Sequence, residues 1–282
     1  MLEMPEILLS VEQVKKLIDQ DICVLVDCRF DLSNPQQSRS DYLAGHIAGA
    51  FYAHLDSHLA SEITPQSGRH PLPGLDVFAA FLGSIGWHKD KLLVAYDASS
   101  SAFAVRLWWL MRYFGQQAAV MDGGLAAWTG SGLPLQTGLV ETRQGKIPQL
   151  HENWQMTVSA KDILEQGDLL TLLDARASER YSGAVEPLDT KAGHIPGALN
   201  RPFAQNLDAT GRFKSPGQLR AEFSAILAGR KVDNTVLYCG SGVTACHNAF
   251  AMELASLRGS RVYPGSWSEW IRDPVRPVEK TA

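Results

Sequence analysis

Cysteine is scarce in this 282-residue chain, which also lacks long apolar runs and any surplus of positive charge. The four cysteines, at positions 23, 28, 239 and 246, follow neither a disulfide framework nor a zinc spacing. The chain is therefore expected in a reducing cytoplasm, with no metal and no cofactor. No stretch nears the roughly 20 apolar residues that span a membrane, and Met1–Glu6 have neither the basic region nor the apolar core of a signal peptide. With 26 Lys and Arg against 30 Asp and Glu, the formal net charge is −4. That balance removes the general electrostatic reason to expect nucleic acid or an anionic membrane as partner. What is present, 45% hydrophobic and 20% charged residues, is the composition of a globular protein long enough for two domains.

One stretch organises the rest. Val236-Leu237-Tyr238 is a short apolar run leading into Cys239, then Gly240-Ser241-Gly242-Val243-Thr244, then a segment with helical periodicity. The order reads as strand, tight loop, helix. A cysteine there faces converging backbone N–H groups and the positive end of a helix, both of which favour thiolate over thiol. Gly240 and Gly242 allow the backbone to curl around an anion. The plain alternative is a buried cysteine before a loop. Cys23, inside Ile22-Cys23-Val24-Leu25-Val26, reads as core. Cys246 reads as two turns along the helix, a weak candidate for a resolving thiol.

The two halves of the chain repeat one another. Ser10 precedes an amphipathic helix, then a strand ends at Asp27-Cys28-Arg29, and Gly45-His46-Ile47-Ala48-Gly49-Ala50 follows. In the second half Ser159 precedes a helix, the strand Leu169–Leu173 ends at Asp174-Ala175-Arg176, and Gly193-His194-Ile195-Pro196-Gly197-Ala198 follows. Further strands are expected over 92–96 and 118–121, with helices over 75–82, 102–114 and 216–227. Alternating strands and helices imply parallel α/β units. The expected domains are 1–136 and 156–282, joined by a polar, glycine-containing linker over 137–155.

The repeat separates residues of the fold from residues of the chemistry. His46 and His194 occur in both copies, as do Arg29 and Arg176, so these read as structural, the arginines tying a loop to a carboxylate. Cys239 corresponds to Asp97 in the first copy. Arg180 falls opposite Ser33, and a guanidinium offers a planar fork to a carboxylate. His70, in Gly68-Arg69-His70-Pro71, falls opposite Phe213.

Cys239-Gly240-Ser241-Gly242-Val243-Thr244 resembles the active-site loop of the rhodanese superfamily, in its 3-mercaptopyruvate sulfurtransferase branch. Similar motifs in both halves extend the resemblance over nearly the whole chain. It implies two tandem rhodanese-like domains, each a parallel sheet flanked by helices, the first silent because Asp97 cannot form a persulfide. It implies a sulfurtransferase that moves sulfur from a small anionic donor through a persulfide on Cys239 to a thiol, to cyanide or to a carrier such as thioredoxin. By the same resemblance His70 and Ser241 act with Cys239, Arg180 binds the donor carboxylate, and Gly240, Gly242, Val243 and Thr244 line the binding loop.

Two cues bear on the donor. Thiosulfate sulfurtransferases usually carry Arg and Lys where Gly240 and Ser241 stand, so the uncharged pair points to 3-mercaptopyruvate. The second carboxylate-binding arginine of that branch, in a Glu-Pro-Arg segment, is replaced in Glu186-Pro187-Leu188. The loop carries more weight because it lies beside the transferred sulfur. The alternatives are a thiosulfate sulfurtransferase and a non-catalytic persulfide carrier. A cysteine phosphatase needs an arginine at position 245, which is alanine.

Overall fold

The computed structural model describes residues 6–141 and 145–281. In chain order the first half forms β1 (Leu8–Leu9), α1 (Val11–Asp19), β2 (Cys23–Asp27), α2 (Pro35–Ala44), β3 (His46–Ile47), β4 (Phe51–Tyr52), α3 (Leu55–His58), α4 (Leu75–Ser84), β5 (Leu92–Tyr96), α5 (Ala104–Tyr113), β6 (Ala118–Met121), α6 (Gly124–Gly130) and β7 (Leu135–Gln136). The second half forms α7 (Ala160–Gln166), β8 (Thr171–Asp174), α8 (Ser178–Ser182), β9 (Leu199–Asn200), α9 (Pro216–Leu227), β10 (Thr235–Tyr238), α10 (Ala245–Leu254), β11 (Arg261–Val262) and α11 (Ser266–Trp270).

Two parallel sheets result, in the strand orders β1-β6-β5-β2-β4 and β11-β10-β8-β9. Their central strands are buried along almost their whole length, which is why they read as continuous apolar runs and not as alternating ones. Around them lie two cores, one including Val14, Leu25, Val94 and Met121, the other Ile163, Val236, Tyr263 and Trp267.

The helix starts follow local chemistry. Ser10, Ser159 and Ser215 each close a capping box, with Gln13, Asp162 and Gln218 as the reciprocal partners. α5 starts at Ala104 and not at Ala102, because Arg106 N–H bonds to Phe103 O in a tight turn after Ser100 and Ser101 at positive φ; the Asp97 carboxylate caps the N–H groups of Phe103 and Ala104. β8 is shorter than the expected 169–173 strand, since Gly167–Leu169 makes a tight helical turn closed by Leu170 N–H to Gly167 O.

The repeated residues hold equivalent positions. Arg29 forks onto Asp27 and donates to Gly45 O at 2.6 Å; Arg176 forks onto Asp174 and donates to Gly193 O at 2.7 Å. His46 stacks on Tyr42 and meets its carbonyl through Nδ1, as His194 does on Tyr181. Tyr42 and Tyr181 donate in turn to Ala50 O and Ala198 O.

By contacts the chain divides into two units, Met1–Ala60 with Pro73–Glu152 and Thr210–Arg212, and Ser61–Leu72 with Asn153–Ala209 and Phe213–Ala282. Of the 137–155 stretch read as a linker, residues 142–144 lie outside the described residues, as do residues 1–5 of the N-terminal reading. Among the described residues, no helix is long and apolar enough to cross a membrane.

Candidate active site

β10 delivers Cys239 to its end, and the chain then turns through Gly240–Thr244 before α10 begins. Gly242 has φ +79, and a Cβ there would run into the carbonyl oxygen of Pro264, so only glycine makes this turn without displacing backbone. The turn aims two amides back at the sulfur, Gly242 N at 3.1 Å and Ser241 N at 3.5 Å from Cys239 Sγ. N–H groups converging on one atom make a preformed seat for negative charge on it. Val243 and Thr244 lie at the start of α10, where their carbonyls accept the N–H groups of Cys246 and His247.

α11 braces the loop from its other side. The first N–H groups of a helix have no partner within it, and here Trp267 N–H goes to Cys239 O at 3.0 Å and Ser268 N–H to Gly240 O at 2.9 Å. Ser266 sits at φ +54, rare for a residue with a side chain, and its Oγ accepts from Cys239 N at 3.1 Å while donating to Tyr263 O at 2.9 Å. Both backbone groups of Cys239 are therefore fixed.

His70 Nδ1 lies 2.8 Å from Ser241 Oγ, and both residues are buried. The pair sets an imidazole against the hydroxyl of a loop residue whose own amide contacts Sγ. His70 belongs by contacts to the Ser61–Leu72 segment of the second unit, so these groups all lie within that unit. Arg69 is anchored alongside, its N–H donating to Ser268 Oγ at 3.0 Å.

Arg180 is not held open. Its Nε and Nη2 fork onto Glu186 at 2.8–3.2 Å, and Nη2 also reaches Asp189 Oδ2 at 3.0 Å. Asp189 Oδ1 bonds in turn to Arg69 Nη1, and Glu186 lies 3.4 Å from Arg176 Nη1. Arg176 rests over the ring of Trp267. The result is an alternating chain of three guanidinium groups and two carboxylates, Arg176, Glu186, Arg180, Asp189 and Arg69. Burial opposes the Glu186 carboxylate, but the Arg180 fork together with the N–H groups of Leu188 and Asp189 outweighs it and holds that carboxyl below its usual range. For Asp189 burial prevails over Arg69 and Arg180, and its carboxyl is pushed up.

The other cysteines stand apart. Burial pushes the Cys23 thiol up to about 11 and the Cys28 thiol well above its ordinary value. Cys246 lies in the first turn of α10, not two turns along it, because the loop runs to Thr244; its Sγ donates to Gly242 O at 3.3 Å. Among the described residues, no group of three or more His, Cys, Asp and Glu could hold a metal ion.

Four contributors were missed in the sequence, namely Arg69, Asp189, Ser266 and Ser268. Ser266 carried a signal, because Asp122-Gly123-Gly124-Leu125 in the first copy becomes Pro264-Gly265-Ser266-Trp267 in the second. Arg69 and Asp189 carried none, since 120 residues separate the pair. The loop at Gly240 is uncharged in sequence but not in space. A Cβ on Gly240 would lie 2.7 Å from Arg69 Nη2 and 3.4 Å from both Nη atoms of Arg180.

A cysteine at the end of a parallel strand, in an amide-lined loop that leads into a helix, on a duplicated α/β unit, defines a class. The chain belongs to the rhodanese family, whose Rhodanese-like domain matches residues 10–131 and 157–273. It is an enzyme of the sulfurtransferase class. It is 44% identical over 276 residues, covering 96% of this chain and 97% of the other, to a Pseudomonas aeruginosa protein provisionally named 3-mercaptopyruvate sulfurtransferase. It is 35% identical, over 97% of this chain and 96% of the other, to a Mycobacterium tuberculosis protein provisionally named thiosulfate sulfurtransferase SseB. The crystal structure of the Escherichia coli 3-mercaptopyruvate sulfurtransferase SseA superposes with a TM-score of 0.81 at 30% identity, over 93% of this chain and 99% of that one.

Proposed function

We propose that Cys239 accepts sulfur from 3-mercaptopyruvate and passes it as a persulfide to a thiol acceptor. The observation that carries this reading is the Cys239 sulfur held against the Ser241 and Gly242 amides, with the His70–Ser241 pair beside the same loop. The thiolate attacks the donor sulfur, so an S–S bond forms and the donor C–S bond breaks. The bonding pair leaves on carbon as the enolate of pyruvate, which gains a proton to become pyruvate. Ser241 and His70 are positioned to relay that proton. An acceptor thiol then takes the outer sulfur and restores the Cys239 thiolate. Arg180 binds the donor carboxylate, and Gly240, Gly242, Val243 and Thr244 shape the loop around the sulfur. The first unit transfers no sulfur, because Asp97 stands where the nucleophile would be. A small dithiol protein such as thioredoxin suits the acceptor role, and the cytoplasm, where such thiols stay reduced, is the compartment.

Incubation with 3-mercaptopyruvate followed by peptide mass analysis tests this. One added sulfur on the Cys239 peptide and release of pyruvate are expected, and an adduct that survives in Cys239→Ser protein sinks the mechanism. One observation favours a second donor. The Arg69 and Arg180 guanidinium groups beside Gly240 are paired with Asp189 and Glu186, and a thiosulfate dianion that displaced Asp189 would meet positive charge that the loop itself lacks. Specificity constants for both donors with one acceptor at fixed ionic strength decide between them, and 3-mercaptopyruvate is expected to be preferred.

A further inference from the structure

We propose that Asp189 is an internal stand-in for the donor's carboxylate: it occupies Arg69 and Arg180 beside Gly240, and the donor binds by taking its place between them. This rests on the reading of the donor as a carboxylate and adds Arg69 as its second anchor.

One carboxylate spans two guanidinium groups on separate oxygens, Oδ1 to Arg69 Nη1 and Oδ2 to Arg180 Nη2. That is the arrangement a small carboxylate would need to be gripped from both sides. It lies next to the reacting residue, since both guanidinium groups crowd the space above Gly240, directly after Cys239. Glycine at 240 is what leaves that space to them.

Each arginine keeps one anchor without Asp189, Arg180 at its guanidinium through the fork onto Glu186 and Arg69 at its backbone N–H through Ser268. Asp189 is free to give way at modest cost. Its backbone N–H is tethered to Glu186 Oε1, and its neighbours Leu188 and Thr190 are exposed, so the segment that carries it lies at the surface. A buried ion pair returns little net stability because desolvation offsets attraction, so exchanging one carboxylate for another approaches balance. Asp189 also excludes anions that cannot displace it, which makes it a determinant of specificity and of apparent affinity.

Pyruvate tests this without sulfur chemistry. Its affinity is measured by calorimetry on the reduced full-length protein, on Asp189→Asn and on Arg69→Gln, with pyruvamide as the uncharged control. Asp189→Asn should bind pyruvate at least about fivefold more tightly than wild type, and Arg69→Gln about tenfold more weakly, the range expected for charge-assisted contacts. The Michaelis constant for 3-mercaptopyruvate should fall in Asp189→Asn and rise in Arg69→Gln, with kcat little changed. Pyruvate affinity that is unchanged or weaker in Asp189→Asn overturns the proposal, as does an equal change with pyruvamide. Arg69 is one-quarter exposed, so Arg69→Gln carries the test alone if Asp189→Asn does not fold; unchanged pyruvate affinity there overturns it equally. Absence of a Cys239 persulfide in wild type would instead refute the donor reading, whatever the pyruvate affinities show.

Discussion

The two units build the same loop and use it for different ends. In the first, β5 ends at Asp97, whose carboxylate collects the N–H groups of Ser99, Ser101, Phe103 and Ala104 at 2.8–2.9 Å. In the second, β10 ends at Cys239, whose sulfur receives Ser241 and Gly242 N–H. One loop is satisfied by its own side chain and so serves as a cap for α5. The other directs its amides at an atom that can form a bond. The braces differ in parallel. Leu125 N–H reaches Asp97 O at 2.8 Å from a helix that begins with glycine at φ +52, whereas Trp267 N–H reaches Cys239 O from one that begins with Ser266. A loop that seats an anion can stabilise a fold or a reaction intermediate, and the residue at the end of the strand decides which.

The largest expected effect comes from making the second loop resemble the first. Cys239→Asp should fold, because a carboxylate can accept the same amides, and should show no sulfur adduct and no turnover. Cys23→Ser, Cys28→Ser and Cys246→Ser should each keep the adduct. A sulfur adduct on any residue of Cys239→Asp protein would break the comparison.

Removing the imidazole comes next. His70→Ala leaves Ser241 without its partner and should slow turnover by about 10²- to 10⁴-fold, the usual range for a proton-transfer group. Stopped-flow measurement of pyruvate release gives the rate. A loss below tenfold would place His70 among the structural residues.

The reverse test addresses the loop at Asp97. Asp97→Ala strands four N–H groups, and should lower the unfolding free energy of the first unit by at least about 3 kcal/mol, while the adduct on Cys239 persists. Denaturant unfolding together with peptide mass analysis checks both halves of that statement.

Arg180→Leu should reduce the specificity constant for 3-mercaptopyruvate by roughly ten- to a hundredfold, through loss of one charge-assisted contact. An unchanged value would leave Arg180 as a support for Glu186 and Asp189. The smallest change belongs to Ser266→Gly, which gives the second brace the residue of the first. It relieves the positive φ but frees Cys239 N–H, and turnover should fall less than about tenfold with stability nearly unchanged.

Much of this architecture was legible in the residues taken alone. Buried parallel strands read as continuous apolar runs, capping serines mark α1, α7 and α9, and duplication pairs Arg29 with Arg176 and His46 with His194 in equivalent contacts. These features are local, or repeat within the chain, so pattern and spacing reveal them. The surroundings of the sulfur are not local. Arg69 meets Asp189 across 120 residues of sequence, and His70 meets Ser241 across 171. The Gly240-Ser241 pair is uncharged along the chain, whereas the guanidinium groups arrive through space. Sequence alone determined that a cysteine would sit in an amide-lined loop at the end of a strand. Only the tertiary structure decided what that loop faces, because long-range packing, and not hydropathy or turn chemistry, selects which distant side chains converge on it.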